Sequence, residues 1–338
     1  MSIVVPVYNE SAVLNQFLCR LRGVLDGLAW NYEIVLVNDG SMDSSLQMLL
    51  AEAAADQRIK VLSFPRNFGH QIAVTAGLDF AAGDAAIIMD ADLQDPPELI
   101  PQMLELYMQG YEVVSPKRVS RQGDGLFKRL SARFFYCLMQ KLIHERIRPE
   151  VGDFRLLSRA AVKMLRRFRE QHRFVRGLVG WLGLREAILP FERQPRVAGE
   201  SKYSLLKMLR FSWTAITSFS ALPLRLTMMA GIAASGVSAL YFAYAAYGAF
   251  VLKKVVPGWT SIIFLQCLFF GITLLGMSAI GEYVARIYEE AKCRPLYILD
   301  CVVNLQANEL DRVAVMRADA PVSESELLRL GERLGRSV

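Results

Sequence analysis

Residues 87 to 97 read Ile-Ile-Met-Asp-Ala-Asp-Leu-Gln-Asp-Pro-Pro, an apolar run that stops on two carboxylates and meets a third five positions after the first. In an extended chain Asp90 and Asp92 point to the same side, at the mouth of a strand from Ala85 to Met89. Two like charges repel there unless something cationic sits between them. Hard oxygen ligands suit Mg²⁺ or Mn²⁺, so Asp90, Asp92 and the Gln94 amide form a candidate site for a divalent ion that also binds a diphosphate. There is no G-x-G-x-x-G after the first strand and no G-x-x-x-x-G-K-[ST] loop, so any phosphate must be held in another way.

The elements that must position these residues follow a regular order. Strand-like runs at Ser2 to Tyr8, Tyr32 to Asn38, the segment IKVLSF and the segment AAIIMD alternate with helix-like runs. The helices are expected at about 11–25, 44–54 and 71–82, with a fourth opening at Pro96 or Pro97, where proline suits a first turn. Near-continuous apolar strands alternating with helices predict an α/β domain whose mostly parallel sheet is covered on both faces. Ligands in such sheets sit beyond the carboxyl ends of the strands. Those ends carry Asn9 and Glu10, then Asp39, Gly40 and Ser41, then Arg66, Asn67 and His70, then Asp90, Asp92, Gln94 and Asp95. Taken singly, Asp39-Gly40-Ser41 reads as an ordinary turn and Asn9 as a helix cap. Four such loops on one rim read as a ligand site.

The chain has 338 residues, 53% of them hydrophobic, and a net charge of +6. Leu226 to Leu252 and Val255 to Gly281 hold no charged residue, and each as a helix reaches across the roughly 30 Å hydrocarbon core of a bilayer. They are expected to span a membrane, with Pro257 and Gly258 in the turn between them and Trp259 at an interface position. Lys202, Lys207, Arg210 and Arg225 precede the pair and Arg286, Lys292 and Arg294 follow it, whereas the connection holds only Lys253 and Lys254. That asymmetry predicts an integral protein of the cell (inner) membrane with its N-terminal domain and both termini cytoplasmic. Met1 leads straight into a strand rather than into a signal peptide.

Two further stretches, 126–143 and 204–220, mix basic and large apolar residues as helices lying in the membrane interface do, which makes membrane lipids expected partners. The expected organisation is a soluble domain over 1–203 that includes the first of these helices, a juxtamembrane helix over 204–225, two spans within 226–281, and a C-terminal segment over 282–338. Five cysteines show no metal-ligand spacing and read as reduced thiols. No nucleic-acid-binding motif occurs, so no nucleic acid is expected as a partner. The segment LYILDCVVNLQ alternates like a strand that pairs between subunits, which suggests a homo-oligomer, a tetramer being one form.

The segments IVVPVYNE, VNDGSMD, RNFGHQIAVTAGLDFAAGD and IIMDADLQDPPELI resemble the successive motifs of inverting family 2 glycosyltransferases of the GT-A fold. With GDFRLLSR, FVRGLVGWLG, GESKYS and EYVARIYEEAKCRPLYI, the resemblance narrows to the polyprenyl-phosphate glycosyltransferases, the group of dolichol-phosphate mannose synthases and bactoprenol glucosyltransferases. It implies a Rossmann-like GT-A catalytic domain, a nucleotide-sugar donor and a polyprenyl phosphate acceptor. It also implies that Pro6, Tyr8, Glu10 and Asp39 hold the nucleoside, and that Asp90 and Asp92 bind metal and donor diphosphate, with Gln94 a third ligand. Asp153 matches the acidic residue near sugar and acceptor, while Arg118, Arg196, Ser201 and Lys202 match positions that meet phosphates. The implied catalytic set is Asp92, Asp153 and Lys202. His70 and Gln71 belong to a family motif and are expected to shape a loop.

Loss of a nucleoside diphosphate builds positive charge on the anomeric carbon, so the departing oxygens must be neutralised. A lipid phosphate acceptor, with a second pKa of about 6, is already anionic at neutral pH. Asp153 then acts either as a base or as an orienting group. The reading favours transfer of one glucose from UDP-glucose to undecaprenyl phosphate; GDP-mannose is the alternative donor. A processive polysaccharide synthase is disfavoured because QHRFV does not supply a Q-x-x-R-W motif. A non-catalytic membrane scaffold gains nothing from clustered carboxylates.

Overall fold

The computed structural model describes residues 1–118, 151–191, 222–251 and 258–305. These fall into two compact units, one of 1–118, 151–191 and 295–305, the other of 222–251 and 258–294. The interfacial helices expected at 126–143 and 204–220 lie outside the described residues, as do Arg196, Ser201 and Lys202.

The first unit is a sheet with helices on both faces. Its strands are β1 (Ser2–Val7), β2 (Glu33–Asn38), β3 (Ile59–Ser63), β4 (Ala85–Ile88), β5 (Val113–Arg118), β6 (Arg155–Ser158), β7 (Glu186–Phe191) and β8 (Cys301–Val303), in the spatial order β7-β5-β6-β4-β1-β2-β3-β8. Strands β4, β1, β2 and β3 run parallel, as continuous apolar runs buried on both faces require. The first three helices are α1 (Leu14–Leu25), α2 (Ser45–Ala55) and α3 (His70–Phe80). A short 3-10 turn at Pro97–Leu99 leads into α4 (Ile100–Met108), so the proline pair opens this element as expected.

Two features depart from a simple alternation. Strand β6 pairs antiparallel with β4 and with β5, which brings the chain after 151 back beside the Asp90 loop. Strand β8 pairs antiparallel with β3 of its own chain, Leu62 opposite Val302, so the alternating segment near the C-terminus completes the sheet's edge. Helices α5 (Arg159–Leu165) and α6 (Val175–Leu182) follow β6.

One face of the sheet holds the larger core. Ile3, Val5, Ile87 and Leu156 pack there with Phe17 and Leu21 of α1 and Met103 of α4. On the other face α3 lies close against β1. A Cβ on Gly77 would stand 2.2 Å from Val4 Cγ1, so this approach requires glycine.

The second unit contains α7 (Leu222–Phe250) and α8 (Trp259–Ala291), which pack on each other. Leu226–Tyr244 and Phe264–Ala291 are long and apolar enough to cross a membrane, and only 6% of each is buried. A core helix of a soluble protein is mostly buried; here Leu240, Phe242, Phe264 and Phe270 point outward. The last turns of helix α8, from Glu282 to Ala291, carry charges, and Arg286 Nε donates to Glu282 Oε1 at 3.0 Å one turn back.

Candidate active site

The loops after β1 and β2 are laced to one another. Asn9, at φ 55°, donates its N–H to Ser41 Oγ (3.0 Å), and Met42 N–H donates to Asn9 Oδ1 (2.8 Å). Glu10 N–H donates to Ser45 Oγ at 3.0 Å, and Ser11 N–H to Asp43 Oδ2 at 3.1 Å. Ser45 N–H also donates to Asp43 Oδ1 at 3.0 Å; burial raises the Asp43 carboxyl, but the bonds from Ser45 and Ser11 outweigh it and bring the pKa down to about 2. Gly40, at φ +65°, backs onto the loop after β3, where a Cβ would meet the Arg66 carbonyl carbon at 2.3 Å.

These loops enclose a cleft of about 320 Å³ lined by Pro6, Val7, Tyr8, Glu10, Asp39, Asn67, Gly69, His70, Asp90, Ala91 and Asp92. The lining holds four carboxylates and one histidine. Pro6, Tyr8, Glu10, Asp39, Asp90 and Asp92, which the family resemblance singles out, all line this one cleft. Tyr8 is half-exposed, a flat ring open to a ligand.

Asp39 is 2% exposed, and it is already engaged. Phe68 N–H donates to its Oδ1 at 2.6 Å and Gly69 N–H to its Oδ2 at 3.0 Å. Burial nonetheless raises its pKa above the usual carboxylate value, against the pull of those two N–H groups. Asp92 is engaged too: Gln94 donates its backbone N–H to Oδ1 (3.0 Å) and its Nε2 to Oδ2 (2.6 Å). The turn that makes this bond possible puts Leu93 at φ 61°, a left-handed conformation that a branched side chain rarely adopts. Gln94 thus presents its amide nitrogen to Asp92.

Asp90 differs. Its Oδ1 is buried and accepts no hydrogen bond. Burial raises its pKa, His70 opposes, and Asp153 and Asp92 push it further up. A buried carboxylate oxygen without a donor is costly, so this atom is placed to accept a cation or a ligand proton. The donor set fits a hard divalent ion: two carboxylates at the end of one strand, one of them with an uncommitted oxygen. Among the described residues no three His, Cys, Asp or Glu side chains close a metal site by themselves. Such an ion would need oxygens from a ligand as well.

Behind Asp90 lies a group that the sequence only partly revealed. Asp153, just before β6, accepts from Arg176 of α6 at both oxygens, Nε to Oδ1 and Nη2 to Oδ2, each 2.7 Å. His70 Nε2, at the start of α3, stands 3.5 Å from Asp153 Oδ2 and 3.7 Å from Asp90 Oδ1. Gln71 ties the two helices, accepting Val175 N–H at its Oε1 (3.0 Å) with its Nε2 3.5 Å from Asp153. Burial lowers the His70 pKa, but the two carboxylates outweigh it and raise the value to about 8. Burial raises that of Asp153, but Arg176 and His70 hold it well below the carboxylate range. His70 and Arg176 thus belong to the charged cluster. Arg176 lies within FVRGLVGWLG, and no signal in the sequence pairs it with Asp153. Arg118 closes β5.

The profile described as Glycosyl transferase family 2 matches residues 2–166. A Bacillus subtilis (strain 168) protein described as an uncharacterized glycosyltransferase, YkcC, is 46% identical over 311 residues, covering 92% of this chain and 96% of its own length. The bactoprenol glucosyl transferase of Shigella phage SfV is 39% identical over 299 residues, covering 88% of this chain and 97% of its own. Among solved structures, mannosyl-3-phosphoglycerate synthase from Rubrobacter xylanophilus overlaps 64% of this chain and 71% of its own at 18% identity and a TM-score of 0.47. A profile match that runs from β1 through α5, with similarity to glycosyltransferases over nearly the full chain, makes this protein a glycosyltransferase, a member of glycosyl transferase family 2.

Proposed function

We propose that the protein transfers one glucose from UDP-glucose to a polyprenyl phosphate, undecaprenyl phosphate being the expected acceptor, at the cytoplasmic face of the cell membrane. The observation that carries this reading is the cleft itself, four carboxylates at the ends of parallel strands with the buried Asp90 Oδ1 lacking a hydrogen-bond donor. Similarity to relatives named bactoprenol glucosyl transferase supports the sugar and the acceptor class. Helices α7 and α8, read as two spans, would keep the protein where a lipid phosphate is found.

Asp90 and Asp92 would hold Mg²⁺ or Mn²⁺, with Gln94 orienting Asp92. When bound, such an ion offsets the charge of a departing diphosphate. Pro6, Tyr8, Glu10 and Asp39 form the nucleoside side of the cleft. In the reaction an oxygen of the acceptor phosphate bonds to the anomeric carbon as the bond from that carbon to the diphosphate oxygen breaks, inverting the centre. No proton has to leave an acceptor that is already anionic. Asp153, held ionised by Arg176 and His70, is too weak a base to take one and serves to orient. Arg118, Arg196, Ser201 and Lys202 are assigned to phosphates, the last three lying outside the described residues.

The test is incubation of purified full-length protein with polyprenyl phosphate, radiolabelled nucleotide sugars, and either Mg²⁺ or a chelator. Lipid-linked glucose from UDP-glucose, lost on chelation, is expected. No lipid-linked product from any donor would refute the reading; product from GDP-mannose alone would replace the donor.

A further inference from the structure

The chain beyond α8 returns to the sheet and is fastened along β3. Asp300 N–H donates to Ser63 O (2.8 Å), β8 pairs with β3, and Asn304 Nδ2 donates to Ala53 O and Ile59 O at 2.7 and 2.8 Å. Tyr297, in the same strap, is 8% exposed and fixed at two points. Its hydroxyl donates to Asp79 Oδ2 at 2.8 Å, and Asp79 also accepts from both Nη atoms of Arg169. Its ring stacks on Phe64, centroids 5.4 Å apart and 23° from parallel.

Phe64 opens the loop that joins β3 to α3, and the loop ends in the cleft wall. Phe64 meets Phe68 edge-on at 5.4 Å; the Phe68 and Gly69 N–H groups donate to Asp39, and Asn67 and Gly69 line the cleft. From the opposite side Gly40 presses on Arg66 with no room for a Cβ. The loop is therefore clamped between the β2 loop and an aromatic stack that ends on Tyr297. Pro65, Arg66 and Asn67 are exposed and supply no buried anchor of their own. Tyr297 is absent from the cleft lining.

We infer that Tyr297 is a positioning residue for donor binding: its ring, through Phe64 and Phe68, sets the backbone that carries Asn67 and Gly69 and holds Asp39. The inference rests on the cleft being the nucleotide-sugar site. It predicts a lever on donor affinity from the segment after the second long helix, acting through a flat ring rather than through a hydroxyl.

The experiment uses the full-length protein in detergent with Mn²⁺, binding of UDP and of GDP by calorimetry, and steady-state transfer with donor and acceptor varied separately. Tyr297→Leu removes the stack and is expected to weaken nucleoside diphosphate binding and raise the donor KM about tenfold, the scale of one aromatic pair. Its kcat and acceptor KM are expected to stay within about twofold. Tyr297→Phe keeps the ring, and a donor KM within about twofold of wild type is expected. Should Tyr297→Leu fail to fold, Phe68→Leu cuts the same link in a partly exposed loop and is expected to raise donor KM alone. An unchanged donor KM in a folded Leu variant, or equal losses in kcat and in both KM values, overturns the inference and leaves the functional reading standing. Wild-type protein that binds neither nucleoside diphosphate overturns that reading, and the inference with it.

Discussion

Asp39 and Asp90 line the same cleft, and burial raises the pKa of both, yet their surroundings are opposite. Asp39 spends its oxygens on two backbone N–H groups and so ties the loop after β2 to the loop after β3. Asp90 has a buried oxygen with no hydrogen-bond donor, His70 Nε2 3.7 Å away, and two more carboxylates nearby. One carboxylate holds the cleft together; the other carries a charge that burial, with Asp153 and Asp92, disfavours more than His70 favours it, and a cationic ligand can relieve that. A site that tolerates such a disfavoured charge trades stability for binding, and substitutions should separate the two roles.

The largest effect is expected on turnover. Asp92→Asn and Asp90→Asn each remove a ligand of the cation that would offset a departing diphosphate, and transfer should fall about 10²–10³-fold, the scale of losing a main electrostatic partner. Folding should survive both changes. At position 92 an amide oxygen keeps one of the two Gln94 bonds and a turned Gln94 side chain can accept from the new NH₂, unlike the fixed backbone donors on Asp39. At position 90 a neutral amide avoids burying a charge beside Asp153 and Asp92, which outweighs the lost attraction to His70. Thermal unfolding of the ligand-free protein should show Asp90→Asn at or above the wild-type midpoint. A clear fall in that midpoint would mean that Asp90 is a structural group like Asp39.

Asp39→Asn should do the reverse to stability. An amide offers only one acceptor oxygen and turns an NH₂ toward the Phe68 or Gly69 N–H, leaving a donor unsatisfied. A loss of about 1–3 kcal/mol in denaturant unfolding is expected, with donor KM raised as the loop loosens. Stability equal to wild type would remove the contrast.

The parallel half of this arrangement was legible in the sequence, because apolar strands ending on polar residues announce both the sheet and its working rim. Expected and observed helices agree to within about three residues at Leu14–Leu25, Ser45–Ala55 and His70–Phe80. Legibility stopped where partners are distant in sequence. Nothing local in HQIAV or FVRG says that His70 and Arg176 converge on Asp153; the antiparallel entry of β6 brings them there. The fastening of β8 to β3 was equally hidden, since alternation declares a strand but not its neighbour. The Arg176–Asp153 pair can be weighed with a double-mutant cycle of Arg176→Met and Asp153→Asn. With Asp153 10% and Arg176 37% exposed, a coupling of about 1–3 kcal/mol in stability is expected, below that of a fully buried pair. Additive losses would show that His70 and Gln71 suffice to hold Asp153.

The smallest effect concerns the outer edge of the Asp39 side, where Asp43 receives Ser11 N–H and Ser45 N–H. Its pKa is depressed to about 2, so the folded state prefers the ionised form more than the unfolded chain does. The stabilisation is fully present above the ordinary carboxylate pKa of about 4 and disappears as pH falls through about 2. Asp43→Asn should therefore cost about 1 kcal/mol at pH 6, a modest figure because the group is partly exposed and solvent screens it. The two proteins should converge in denaturant midpoint as pH drops from 4 toward 2. A gap that stays constant over that range would assign the loop's stability to a hydrogen-bond geometry that an amide at position 43 does not reproduce, and not to charge.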